Sequence, residues 1–279
     1  MRMRERESRG RVPYRVLCVA GTDSAGCSGI AADLRTVAAL GGHGQLAVTA
    51  VTAQDTCGVR AIGVIAPRLV RAQIAAVLDD AGVDAVKIGM LANASVVRAV
   101  AAALAGRGRA RVVLDPVLQS TTGRQLLEED GRRALLKLLL PLAELITPNI
   151  PEAEVLLGRR IRGVAGMKAA ARELRDLGAR AVLVKGGHGR GAAATDLLAS
   201  ADETLLLSAP RIAGRDTRGT GCVLSTACAC FLAQGCDLQE SVRRAKDVVT
   251  AAIHHAYRVG RGRGPVDPLA GARGAGALT

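Results

Sequence analysis

Short apolar runs alternate with longer amphipathic ones along almost the whole chain, and this alternation limits the possible folds more than any other feature. VLCVAG (16–21) reads as a buried strand. A helix follows across 28–40, with Ile30, Leu34, Val37 and Leu40 near one face. LAVTAVTA (46–53) and AIGVI (61–65) are strand-like, and Pro67 opens a helix over 67–80. AVKIG (85–89), a helix over 94–105 and RVVLDPV (111–117) continue the pattern. The second half adds a helix over 125–140, a strand at 145–147, helices from 151 to 157 and 166 to 177, and strands at 181–187 and 204–209. Two long helices, over 220–234 and 238–258, close the chain. Strands that alternate with helices predict one α/β domain with a mostly parallel central sheet covered on both faces.

The 279 residues are enough for one large core. Its aromatic content is Tyr14, Phe231 and Tyr257, with no tryptophan. A flat ligand must therefore be held by aliphatic walls and hydrogen bonds. The net charge of +13 invites a nucleic-acid reading, but much of it sits at the ends. Residues 1–15 hold six arginines against two glutamates, and 258–279 hold four arginines against one aspartate. Basic tails of that kind are usually solvated, and no nucleic-acid-reading motif accompanies them. A phosphorylated ligand explains the remaining excess equally well. Seven cysteines without a CxxC pair fit reduced thiols in a cytoplasmic protein, with Cys228 and Cys230 as small core residues. No charge-free apolar run approaches the length of a membrane span, and the Arg-rich start lacks a secretory apolar core.

In such folds ligands collect past the carboxyl ends of the strands. There the sequence places GTDSAGCSG, TAQDTCG, GMLA, DPV, TPNIPE, KGGHG and DTRGTGC. In the last of these, Gly219, Thr220 and Gly221 stand where a helix begins, and free amides at a helix N-terminus make a cradle for an anion. The same field predicts a depressed pKa for Cys222 and a role as proton acceptor; a plain turn with a packed cysteine is the alternative. Asn149 and Glu152 read either as a helix cap or as a pair orienting water around Mg²⁺. Lys185, beside Gly186 and Gly187, is a natural phosphate partner. Asp115 places a carboxylate at the ligand edge, for a metal or for the loop. Asp33 lies within a predicted helix, where a solvated face is the default reading, and His188 reads as a loop residue. Gly21 to Gly26 has P-loop spacing, but Cys27 stands where the lysine belongs.

AGTDSAGCSGIAADLRT, TAVTAQDT, AVKIGML, VVLDPV, LITPNIPEAE, VLVKGGH and DTRGTGCVLS occur in that order. Together they resemble the hydroxymethylpyrimidine/phosphomethylpyrimidine kinases of thiamine biosynthesis, within the ribokinase-like superfamily. The resemblance implies a three-layer α/β/α sandwich over 14–266, with a basic tail at 1–13 and a flexible tail at 267–279. It implies ATP and Mg²⁺, a requirement for a monovalent ion being open, and a homodimer acting on a small pyrimidine, with no nucleic acid or membrane partner. Gln54, Asp33, Met90 and Gly21 would then form the substrate pocket. Lys185, Asn149, Glu152, Thr217 and Gly187 would hold ATP, with Asp115 and Glu152 toward Mg²⁺. Gly219, Thr220, Gly221 and Cys222 would carry the transfer. Four departures stand out: Ala31 for Gln in GIQADL, Cys27 for Gly, Arg218 for His in NTHGTGC, and GRGRGP for GHGHGP. Arg218 beside the cradle would add charge near phosphate. The competing readings are a pyridoxal kinase of the same superfamily and a non-enzymatic basic binding protein.

Overall fold

The computed structural model describes residues 13–106, 110–120, 123–187, 192–212, 214 and 216–276. Its first half runs β1 (Arg15–Ala20), α1 (Gly29–Ala39), β2 (His43–Val48), β3 (Ala50–Gln54), β4 (Val59–Val64), α2 (Pro67–Asp80), β5 (Ala85–Ile88), α3 (Ala94–Leu104) and β6 (Arg111–Leu114). Then follow α4 (Glu129–Ala134), β7 (Leu145–Ile146), α5 (Ile150–Leu157), α6 (Gly163–Asp176), β8 (Val182–Val184), β9 (Ala193–Ala199), β10 (Thr204–Pro210), α7 (Thr220–Ala233), α8 (Leu238–His254) and α9 (Pro268–Gly274).

Eight strands form one sheet in the order β10-β9-β8-β7-β6-β5-β1-β2, parallel from β2 to β8 and antiparallel at β9 and β10. The period-two alternation of each strand divides the core. Leu17, Val19, Val86 and Ile88 pack toward the layer of α2, α3 and α6. Val16, Cys18, Ala85 and Val113 pack toward α7 and α8. The predicted three-layer sandwich is therefore the observed one. α7 is apolar almost all round because it lies between the sheet and its neighbours α1 and α8. Its small residues, including Cys228 and Cys230, permit that close seat, and all seven cysteines are unpaired.

Four expectations need correction. The run 46–53 is two strands: Thr49 N bonds Ala20 O while its own carbonyl accepts from Ile65 N, so the chain leaves the main sheet there. β3 and β4 then form a separate antiparallel flap. The expected helix over 125–140 begins only at Glu129, widens into a π turn over 135–139 and tightens at Pro141, which has no N–H to donate. The strand β9 went unpredicted. Finally, the C-terminal stretch expected as a flexible tail contains α9, whose first amides bond the Asp267 side chain and whose Ala272 is fully buried. His188 and residues 1–12 lie outside the described residues.

Candidate active site

The sheet changes direction of winding at β1, since β2 lies on one side of it and β5 on the other. A crevice outside the carboxyl ends is expected at such a point. There the structure has a cavity of about 1020 Å³. It is lined by Gly21 after β1, Met90 after β5, Asp115 after β6, Asn149 after β7 and Lys185 after β8. Gln54 from the flap, Glu152, Gly187, Thr217 and the run Gly219 to Cys222 complete the wall. Residues spread over 200 positions thus converge, from strand ends, from the loops that follow them and from the first turns of α5 and α7.

One predicted lining residue is absent from it. Asp33 lies behind the wall, fully buried, with both carboxylate oxygens 2.8 Å from Lys87 Nζ and Thr226 Oγ1 donating at 2.9 Å. The helical face that holds Asp33 points inward, so it is neither solvated nor open to a ligand. Lys87 itself borders the cavity. Burial opposes its charge most strongly of any single cause, but Asp33, Cys222 and Asp115 together outweigh burial and hold the ammonium above its usual pKa. The signal for Lys87 was present in AVKIG, where an amine interrupts an apolar strand.

The cradle begins at Gly219, the residue before α7, whose φ of +80° lies in the left-handed region. A Cβ there would stand 2.3 Å from Cys27 O, so only glycine lets the two loops touch. No acidic side chain occupies the first turn of α7, which leaves the partial positive charge of the helix end uncancelled. A Cβ on Gly221 would lie 3.3 Å from Lys185 Nζ, which places that amine directly against the cradle. Lys185 pairs with Asp115 at 2.9 Å. Asp115 also accepts from Thr147 Oγ1 at 3.1 Å and Ser225 Oγ at 3.3 Å. Burial disfavours the Asp115 carboxylate, yet Lys185 and Lys87 more than compensate and keep its pKa low. Lys185 in turn is pushed up to about 12, because Asp115 and Glu152 outweigh burial.

Of the two readings set against each other, Asn149 and Glu152 show the helix cap, and they do so at the cavity wall. They form a reciprocal cap, each backbone N–H bonding the other's side chain at 2.8 Å, and both border the cavity. Burial pushes Glu152 up to about 7, with Asp115 adding to the rise and Lys185 opposing it.

Cys222 reverses its expectation. Burial pushes the thiol up to about 11, helped by Asp33 and Asp115 and opposed by Lys87 and the Gly29 amide. The loss of solvent at the floor of the cavity exceeds the pull of the helix end and of one lysine. Cys222 therefore rests as a thiol.

Arg218, expected to add charge beside the cradle, borders the cavity but is paired. Its Nη2 lies 3.1 Å from Asp23 Oδ2 and its Nη1 donates to Asp55 O at 2.6 Å, with the side chain almost wholly buried. Its charge is already matched by Asp23. Leu224, Val249, Ile253, Pro210 and Ile212 also line the cavity, aliphatic walls in place of aromatic ones. Beside them Lys246 pairs with Asp196 at 2.6 Å, a pair no motif announced.

A mostly parallel sheet with a helix-start cradle and an inward amine defines a phosphoryl-transfer site of the ribokinase-like kind. Residues 23–267 match the family described as phosphomethylpyrimidine kinase, and the chain belongs to that family. It is 47% identical to the hydroxymethylpyrimidine/phosphomethylpyrimidine kinase of Rhizobium meliloti (strain 1021) over 90% of this chain and 95% of that one. It is 46% identical over 91% of its length to the thiamine biosynthesis bifunctional protein ThiED of Geobacter sulfurreducens, of which it spans only 52%. Among solved structures, the ADP complex of Bacillus subtilis pyridoxal kinase superposes with a TM-score of 0.86 at 32% identity, covering 92% of this chain and 98% of that one.

Proposed function

We propose that this chain uses ATP to phosphorylate 4-amino-5-hydroxymethyl-2-methylpyrimidine and then its monophosphate, giving the diphosphate for thiamine biosynthesis. The observation that carries the reading is the single cavity in which the Gly219–Cys222 cradle and Lys185 share a wall with Gln54 and Met90. The carbinol oxygen bonds to the γ-phosphorus of ATP, the bond from that phosphorus to the bridging oxygen breaks, and ADP leaves. Phosphoryl transfer of this kind depends on position and charge neutralisation more than on covalent help.

The cradle amides and Lys185 hold the migrating group. Gln54, at a bulge that ends β3, offers the aminopyrimidine both an acceptor and a donor. In its thiolate form Cys222 takes the proton of the carbinol. The second step has an ionised phosphate oxygen as nucleophile and needs no such acceptor.

Among the described residues no group of three or more His, Cys, Asp or Glu side chains is placed to hold a metal. Asp115 and Glu152 fit an Mg²⁺ held mainly by ATP phosphates, since Mg²⁺ commonly takes one or two carboxylates and keeps its waters. When bound there, the ion would neutralise charge on the triphosphate. Support for a homodimer comes from the flap and its surroundings, where Val51, Val64, Leu69 and Leu46 are exposed. No helix among the described residues is long and apolar enough to cross a membrane.

The likeness to a pyridoxal kinase makes pyridoxal the acceptor to compare. Purified protein is incubated with Mg-ATP and either the pyrimidine alcohol or pyridoxal, and products are read by mass spectrometry. Sequential appearance of pyrimidine mono- and diphosphate is expected. Phosphorylation of pyridoxal alone would overturn the reading.

A further inference from the structure

A buried ion pair, Arg218 with Asp23, ties together loops that border the cavity. Arg218 immediately precedes the cradle. Its Nη1 donates to Asp55 O in the turn between β3 and β4, and its Nη2 to Asp23 Oδ2 in the loop between β1 and α1. Asp23 is committed on every side, accepting also from Ala25 N at 3.0 Å and Ser28 Oγ at 2.8 Å. The backbone of Arg218 is fixed as well, its N–H bonding Gly264 O and its carbonyl accepting from Val266 N, both at 3.1 Å. Three loops that carry parts of the site therefore meet at one guanidinium.

The flap turn is gripped from a second direction. Thr56 accepts from Gly262 N through its hydroxyl and from Arg263 N through its carbonyl, both at 3.0 Å. A Cβ on Gly262 would stand 2.0 Å from Thr56 O, so this strap lies flat on the turn only because that residue is glycine. Gln54, the acceptor contact, sits one residue before Asp55.

We propose that Arg218 is a positioning residue for the acceptor: it clasps the flap that carries Gln54 onto the phosphate-receiving loop, and it does not bind phosphate itself. This rests on the kinase reading for its catalytic consequence, though not for its structural one. A fork of fixed donors can hold a carboxylate and a carbonyl together in one geometry.

The test uses the full chain with Arg218→Met, Arg218→Lys and Asp23→Asn. Removing a buried charged hydrogen-bond pair is expected to raise KM for the pyrimidine alcohol about tenfold or more in Arg218→Met, with KM for Mg-ATP within about twofold of the parent. Amide exchange over 52–58, measured without ligand, should quicken by about the same factor. Arg218→Lys keeps the charge toward Asp23 and should recover part of both effects. If Arg218→Met does not fold, Asp23→Asn removes the ion pair and should reproduce both changes. A rise in KM for Mg-ATP with that for the acceptor unchanged would overturn the proposal, as would unaltered exchange over 52–58. Faster exchange in a protein that phosphorylates no pyrimidine would support the clasp and sink the kinase reading instead.

Discussion

Replacing Cys222 by alanine separates the two phosphorylations. The thiol rests near 11, so at pH 7.5 about one molecule in 3,000 carries thiolate. Populating that form costs about 4.8 kcal/mol, which falls by about 1.4 for each unit of added pH. A base in this position contributes ~10²–10⁴-fold, and the scarcity of thiolate places Cys222 at the lower end. Cys222→Ala should therefore slow the first step about 100-fold at pH 7.5 and the second no more than about threefold. In the parent protein the first step should climb about tenfold per pH unit through the weakly alkaline range, and in the variant that climb should vanish. Single-turnover reactions started from the alcohol and from the monophosphate give the two rates. Alkylation of free protein against pH gives the thiol midpoint, in a Cys57→Ser background because Cys57 is exposed and would react first. Equal losses in both steps, or a pH profile the substitution leaves intact, would refute the proton-acceptor argument.

Four other substitutions probe the site's electrostatics and shape. Glu152 is held above the ordinary glutamate range, so it favours the fold when protonated and loses that contribution as pH rises through about 7. Glu152→Gln, which retains an acceptor for the Asn149 amide, should raise the urea midpoint of the ligand-free protein at pH 8 but not at pH 5, while weakening Mg-ATP binding. Lys87→Met strands a fully buried Asp33 and should cost about 3–5 kcal/mol in urea unfolding. Adding Asp33→Asn should return part of that loss, and strictly additive single effects would count against a coupled pair. Gly219→Ala meets both a φ of +80° and a carbonyl 2.3 Å away, so a loss of about 1–3 kcal/mol is expected, together with weaker ATP binding in a calorimetric titration.

What the sequence made legible follows from which interactions are local. The central parallel strands are buried on both faces and read as unbroken apolar runs, so VLCVA and RVVL stand out. The strand AATDLLA did not, because its first half is small and polar and its pairing with β8 and β10 does the ordering. PLAGARG contains two glycines and has little helical tendency of its own. Its helix depends on the Asp267 cap and on the close seat of Gly271, where a Cβ would come 2.6 Å from Val248 O. At the site, the loops were legible because a parallel sheet sends every βα turn to one edge. The ionisation states were not. Asp33 meets Lys87 across 54 positions and Asp23 meets Arg218 across 195, so neither the inward turn of Asp33 nor the spent charge of Arg218 could be read from spacing.

Those distant pairings bear on how the cavity receives a nucleotide. Lys87 with Asp33, Lys185 with Asp115, Arg218 with Asp23 and Lys246 with Asp196 are four buried cation–carboxylate pairs around one cavity. Each pair is close to neutral, so the overall charge of +13 says little about the field inside. On the kinase reading, attraction for a triphosphate would come instead from oriented groups: the amides at the first turn of α7, and the Lys185 amine beside them. Backbone amides fixed by the helix need not reorganise as charge moves in the transition state. Because Lys185 is already held by Asp115, a phosphate arriving there would exchange partners with the carboxylate and would not have to meet a bare buried charge. The same dependence on partners explains why removing one member of any pair should cost more than removing both.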